Sequence, residues 1–120
     1  MSELIRIVPA EYRDKLTVKN SPLINSDFCD GTCYQYGDAY CRLVSCTKTD
    51  AVWIHGLISF FPGAGKQLLL ELQQQIPHLR LNCLGLNLYE YYTSLGFVVT
   101  YSYQSIIDGL TYYELEWTRS

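Results

Sequence analysis

Two stretches, Gly63-Ala64-Gly65-Lys66-Gln67-Leu68-Leu69 and Tyr92-Thr93-Ser94-Leu95-Gly96-Phe97, decide how this chain is read. In the first, two glycines precede Leu68, Leu69, Leu72 and Ile76, whose spacing predicts an amphipathic helix that Pro77 stops. Two glycines permit positive φ and close ligand approach, and the helix start adds unpaired N–H groups and about half a positive charge. A pyrophosphate fits such a turn. ATP and NAD fit it poorly: a Walker A loop needs glycine at position 60 and Ser or Thr after Lys66, where the chain has Phe60 and Gln67. A dinucleotide fingerprint needs a third glycine near Leu68 inside a parallel βαβ unit.

Around the second stretch, Asn87 with Glu90 reads as an N-cap and its capping-box partner. Leu88, Tyr91, Tyr92 and Leu95 form the apolar stripe of the helix that follows, and Gly96 suits a left-handed C-terminal cap. Between the two helices, His78 to Leu84 alternates as a strand, with Leu79, Leu81 and Cys83 on one side and Arg80 and Asn82 on the other.

Upstream, Leu4 to Val8 is a short strand, and Pro9 opens a helix to Val18 with Tyr12, Leu16 and Val18 on one side. Lys19 to Gly31 reads as a loop anchored by Leu23, Ile24 and Phe28. Thr32–Tyr36, Tyr40–Cys46 and Val52–Phe61 are strands joined by hairpins at Gly37-Asp38 and Thr47–Asp50, the last of them apolar enough to be central and covered on both faces. Downstream, Val98–Ile106 and Thr111–Trp117 form a hairpin about Asp108-Gly109. The sum is an α+β fold: a mixed, mostly antiparallel sheet of about seven strands with three to four helices on its faces.

A chain of 120 residues holds one domain, residues 1–120, and 48% hydrophobic with 18% charged residues specifies a folded one. The net charge of −3 provides no basic field for nucleic acid. No charged leader with an apolar core opens the chain, and no run approaches the roughly 18 apolar residues of a membrane span, so a cytoplasmic protein is expected. Cys29, Cys33, Cys41, Cys46 and Cys83 are odd in number, against a disulfide framework. Their spacings are looser than a zinc knuckle and no histidine lies near the first four, so buried thiols, and no metal, are expected.

The two motifs, in this order with a strand between them, resemble the GNAT superfamily of N-acetyltransferases. Gly63 to Leu69 is similar to the end of that family's acetyl-CoA pyrophosphate loop and the start of its third helix. Tyr92 to Phe97 is similar to its signature of tyrosine, three residues and Gly-Phe, and Ile5-Arg6 followed by Pro9 to its opening. The resemblance implies transfer of an acetyl group from acetyl-CoA to a primary amine by direct attack. By the same resemblance, Ser59, Phe60 and Phe61 would meet the pantetheine arm, the N–H groups of Gly63, Ala64, Gly65, Lys66 and Gln67 the pyrophosphate, and Asn87 the cofactor. The strands at Val52–Phe61 and His78–Leu84 would splay to admit the thioester. Tyr92 would protonate the leaving thiolate, a duty that suits a phenol of pKa about 10.

The family often draws its base from a carboxylate in the fourth strand, which here has none. His55 is the substitute, since an unperturbed pKa of about 6.5 leaves a neutral imidazole at pH 7; a histidine satisfied within a sheet is the plainer reading. Glu114 and Glu116 come next.

The family's loop carries Gln or Arg where this chain has Phe60, which motivates an alternative: a GNAT-like fold kept as a binding or structural module of a protein assembly, possibly viral, with its cofactor site decayed. Tyr34, Tyr36, Tyr40, Tyr101, Tyr103, Tyr112 and Tyr113 fall on predicted strands. They serve cross-strand packing or, on an exposed face, an interface with a second copy or a protein partner. The acceptor amine is unknown, its site shaped by Pro9–Phe28 and the last hairpin.

Overall fold

In the computed structural model the described residues are 3–20, 31–45 and 50–119. Leu23, Ile24, Phe28, Cys29, Cys46 and the turn from Thr47 to Thr49 lie outside them. The chain runs β1 (Ile5–Ile7), α1 (Pro9–Val18), β2 (Thr32–Tyr36), β3 (Ala39–Ser45), β4 (Val52–Ser59), α2 (Ala64–Gln75), β5 (His78–Leu84), α3 (Leu86–Ser94), β6 (Val98–Gln104) and β7 (Thr111–Thr118). The strands form one sheet in the order β1-β2-β3-β4-β5-β7-β6, antiparallel except between β4 and β5. This is the expected α+β arrangement.

Each face of the sheet has its own core. On one, Tyr12 and Leu16 of α1 pack with Ile7, Cys33, Tyr40 and Ile58. On the other, Leu68, Leu69 and Leu72 of α2 and Tyr92 of α3 pack with Cys41, Ile54, Leu79, Leu81, Cys83, Phe97 and Leu115. The three α2 leucines are fully buried, each stabilising the packing by roughly 1.5–3 kcal/mol.

β4 changes face partway along. Ile58 pairs with Tyr40 and His55 with Arg42, so β4 carries one residue more than β3 between these rungs. Gly56 sits in this bulge at φ +73, and its carbonyl accepts a hydrogen bond from the Tyr12 hydroxyl. Ile54 and Ile58, an even number of positions apart, therefore point to opposite cores, which an unbroken strand forbids.

Four boundaries depart from the periodicity. Val18 is 72% exposed instead of packed, because α1 ends there. Ile76 caps α2 in an extended conformation, as a residue before proline is pushed out of the helical region. β4 stops at Ser59, leaving Phe60 and Phe61 in the following turn. β6 stops at Gln104, and Ile106 is fully exposed in a loop closed by the Ser105 N–H donating to the Leu110 carbonyl at 2.9 Å.

Candidate functional site

The parallel ladder between β4 and β5 has three rungs, Val52↔Leu79, Trp53↔Arg80 and Ile54↔Leu81. Beyond them β4 runs to Ser59 and β5 to Leu84 unpaired with each other, leaving the expected gap between two central strands. At the end of β4 the Ser59 hydroxyl donates to the Phe61 carbonyl at 2.7 Å, and the Phe60 N–H to the Asp38 carbonyl at 2.8 Å. Gly63, the N-cap of α2, is left-handed at φ +86, which aims the first turn of α2 back over the strand.

A cleft of about 610 Å³ opens at this point. β4 and its turn contribute Leu57, Ser59, Phe60, Phe61, Pro62 and Gly63, α2 contributes Gly65 and Lys66, α3 contributes Leu88, Tyr91 and Tyr92, and Lys19 closes the α1 side. The Ala64 N–H already bonds the Phe61 carbonyl, and the Gln67 N–H the Gly63 carbonyl. The N–H groups of Gly63, Gly65 and Lys66 have no acceptor among the described residues. The donor set is thus narrower than the five expected from sequence. Ala64 and Gln67 line a separate cleft with Tyr36, Gly37 and Asp38.

Phe60 lines the cleft on the side of α1. Its ring meets Tyr40 edge-on at 5.7 Å, and the Lys15 and Lys19 ammonium groups lie 5.8 and 5.4 Å from its centre. Phe61 is 65% exposed. Lys15, Lys19 and Lys66 together make the cleft mouth electropositive, which favours an anionic ligand.

Tyr92 is 8% exposed, in edge-on contact with Tyr91 at 5.2 Å and with Phe97 at 5.9 Å. Burial, then the nearby Cys83 and Tyr91, push its pKa well above the ordinary tyrosine range, so the phenol keeps its proton. Its position follows from how α3 ends: the Phe97 N–H donates to the Tyr92 carbonyl and the Gly96 N–H to the Thr93 carbonyl, at 3.2 and 3.1 Å. This is a Schellman cap, completed by the Tyr92–Phe97 ring contact. Gly96 has φ +95, and a Cβ there would lie 3.2 Å from Trp117.

Asn87 is not the N-cap of α3. Gly85 is, without any side-chain cap, and Asn87 lies inside the first turn, outside the cleft lining. The Gly85 N–H donates to the Thr111 carbonyl at 3.0 Å, which ties the chain to β7 up to that point and starts the helix immediately after. His55 is also absent from the cleft lining. It follows Ile54, so it faces the α1 side of the sheet beside Arg42, opposite the core that holds Tyr92. Partial burial, then the Arg42 charge, lower its pKa.

Sequence reasoning missed Lys19, Leu57, Pro62, Leu88 and Tyr91 as lining residues. Tyr91 had a readable signal, since it adjoins Tyr92 in the same predicted helix; the structure sets its hydroxyl 3.9 Å from where a Cβ on Gly65 would stand. Among the described residues no group of three or more His, Cys, Asp or Glu could hold a metal, and no helix is long and apolar enough to cross a membrane.

The sequence matches no protein-family model and no curated relative. The fold does match solved structures. The aminoglycoside 6'-N-acetyltransferase of Enterococcus faecium aligns with TM-score 0.71 at 9% identity, over 97% of this chain and 96% of that one. A Bacillus subtilis acetyltransferase in complex with CoA aligns with TM-score 0.69 at 16% identity, over the whole of both chains. A GNAT-family acetyltransferase of Bacillus cereus aligns with TM-score 0.67 at 10% identity, over 100% and 99%. The chain has the GNAT fold.

Proposed function

We propose that this protein transfers an acetyl group from acetyl-CoA to a primary amine. The observation that carries this reading is the set of unpartnered N–H groups of Gly63, Gly65 and Lys66 at the start of α2, opening onto a cleft that reaches Tyr92. Such donors with the helix dipole bind a pyrophosphate. The pantetheine arm would run past Ser59, Phe60 and Phe61 into the gap beyond Ile54 and Leu81.

In the reaction the amine nitrogen forms a bond to the thioester carbonyl carbon, and the carbon–sulfur bond breaks as the tetrahedral intermediate collapses. The departing thiolate takes the Tyr92 hydroxyl proton, and the amine gives its own to His55 on the opposite face. A base and an acid on the two sides of one gap suit attack from one face and departure to the other. Titration calorimetry with acetyl-CoA tests the reading: saturable binding is expected, and no binding at millimolar concentration overturns it.

A second role is favoured by β6, a seven-residue edge strand without a charged side chain, whereas the other edge, β1, has three residues and includes Arg6. An uncharged edge of this length offers its unpaired N–H and C=O groups to another strand, so two copies are proposed to associate through β6. Sedimentation showing a monomer at all concentrations removes this role. The free, buried thiols of Cys33, Cys41 and Cys83 suit a reducing compartment, and the cytoplasm is the proposed location.

A further inference from the structure

Away from these clefts, the α1 side of the sheet carries a further cavity. Leu79, Leu81 and Cys83 occupy the α2 core, so Asn82 points to the α1 side. Its cross-strand partner Glu114 points the same way, as do Tyr101, opposite Glu114, and the pair Tyr103 and Tyr112. These residues border a space of about 150 Å³, which Tyr113 also lines although its ring stacks on Tyr89 of α3 at 4.5 Å. Tyr103 and Tyr112 stack at 5.1 Å, 7° from parallel, and Tyr101 lies 5.9 Å from Tyr103. The Tyr112 hydroxyl donates to Asp108 at 2.9 Å, which fixes that ring.

Glu114 is the one charged residue of this lining. Its neighbour Glu116 is engaged by His78 at 3.2 Å and Arg80 at 3.6 Å, but no cation pairs with Glu114 among the described residues. Tyrosine faces attract a cation through their quadrupole, and a half-buried carboxylate adds a full opposite charge. An anion would be repelled by Glu114, and a neutral apolar group would strand it away from water. The ligand this lining fits is an alkylammonium.

We propose that the Tyr101–Tyr103–Tyr112–Glu114 cavity binds the second, non-reacting ammonium of an acceptor that carries at least two amines. Asn82 is the first β5 residue past the last rung shared with β4, so the cavity borders the gap where the reacting amine would attack. The proposal rests on the acetyl-transfer reading for the acceptor's role, but the cation site can be measured without it.

The test is titration calorimetry of the intact protein with 1,4-diaminobutane, without acetyl-CoA, for wild type, Glu114→Gln, Tyr101→Leu and Tyr101→Phe, each checked for an unchanged melting temperature. Glu114→Gln and Tyr101→Leu are expected to weaken binding about tenfold, while Tyr101→Phe, which keeps the ring face, stays within about threefold. Wild-type affinity in both Glu114→Gln and Tyr101→Leu, or no saturable binding by wild type, overturns the proposal. Binding that depends on Glu114 in a protein that never consumes acetyl-CoA upholds the cation site and sinks the acetyl-transfer reading. Turnover with equal kcat/KM for butylamine and diaminobutane, unmoved by Glu114→Gln, does the reverse.

Discussion

His55 and Asn82 are the first residues past Ile54↔Leu81, the last rung that β4 and β5 share, and both point to the α1 side of the sheet. They are the two posts of the gap on that side. If His55 takes the amine proton, its lowered pKa fixes the direction of the pH dependence: the ring is neutral at pH 7 and turnover falls only as it protonates, at a pH below 6.5. His55→Ala is expected to lower kcat by roughly 10²-fold, keep acetyl-CoA affinity, and lose this acid limb. A variant with the wild-type limb removes His55 from the role.

Tyr92→Phe deletes one oxygen and preserves the ring contact with Phe97 and the backbone cap that ends α3. We expect kcat to drop by about 10²-fold with the KM for acetyl-CoA within twofold, about the scatter of such assays, and with unchanged stability. Steady-state kinetics decides, and full activity in the variant assigns the thiolate's proton to another donor.

Gly65→Ala places a methyl 3.6 Å from the Ser59 Cβ and 3.9 Å from the Tyr91 hydroxyl, both ordinary contacts. The fold accepts it, and exchanging glycine for alanine in a helix adds about 0.5–1 kcal/mol of stability. The same methyl enters the cleft between Leu57, Ser59 and Tyr91, where the cofactor would approach the start of α2. Acetyl-CoA affinity should fall about tenfold or more while the melting temperature holds or rises; affinity equal to wild type would mean the cofactor does not approach α2 there.

Alkali should destabilise the protein in a defined order. Burial pushes the Cys41 thiol up to about 12 from its ordinary 9.0, so above pH 9 the unfolded chain loses this proton before the folded one does. Stability is therefore fully present below that point and declines as pH rises, by about 1.4 kcal/mol per unit for one such group. Tyr12 and Tyr92, also raised by burial, join above 10.0. Denaturant titrations from pH 8 to 11 should show Cys41→Ala with a flatter onset than wild type; identical curves would count against the buried thiol as the cause.

How much of this was legible differs by element. His78–Leu84 is observed with the predicted bounds because a strand with one buried face alternates strictly. The gap between β4 and β5 had no local sign, since it depends on where pairing stops. The bulge had one, Gly56 alone within an apolar run, but the resulting reversal of face is a property of two strands in register and places His55 where no periodicity could. Asn87 and Glu90 have the residue types of a capping box, yet the bond from Gly85 to Thr111 sets the start of the helix. Lys19 enters the cleft from a distant helix, which only the packing of α1 reveals.

The Schellman cap bears on what the Tyr92–Phe97 signature can diagnose. Tyr92 supplies both a carbonyl and a ring to the closure of α3, and Gly96 and Phe97 complete it. Whatever chemistry the cleft performs, an aromatic ring, a glycine and a phenylalanine are called for at these places, because α3 would otherwise lose its closing bonds and ring contact. Only the phenolic oxygen is free to be lost. Phenylalanine in place of Tyr92 would leave this closure whole, so the signature reports how α3 ends and only the phenolic oxygen reports on chemistry.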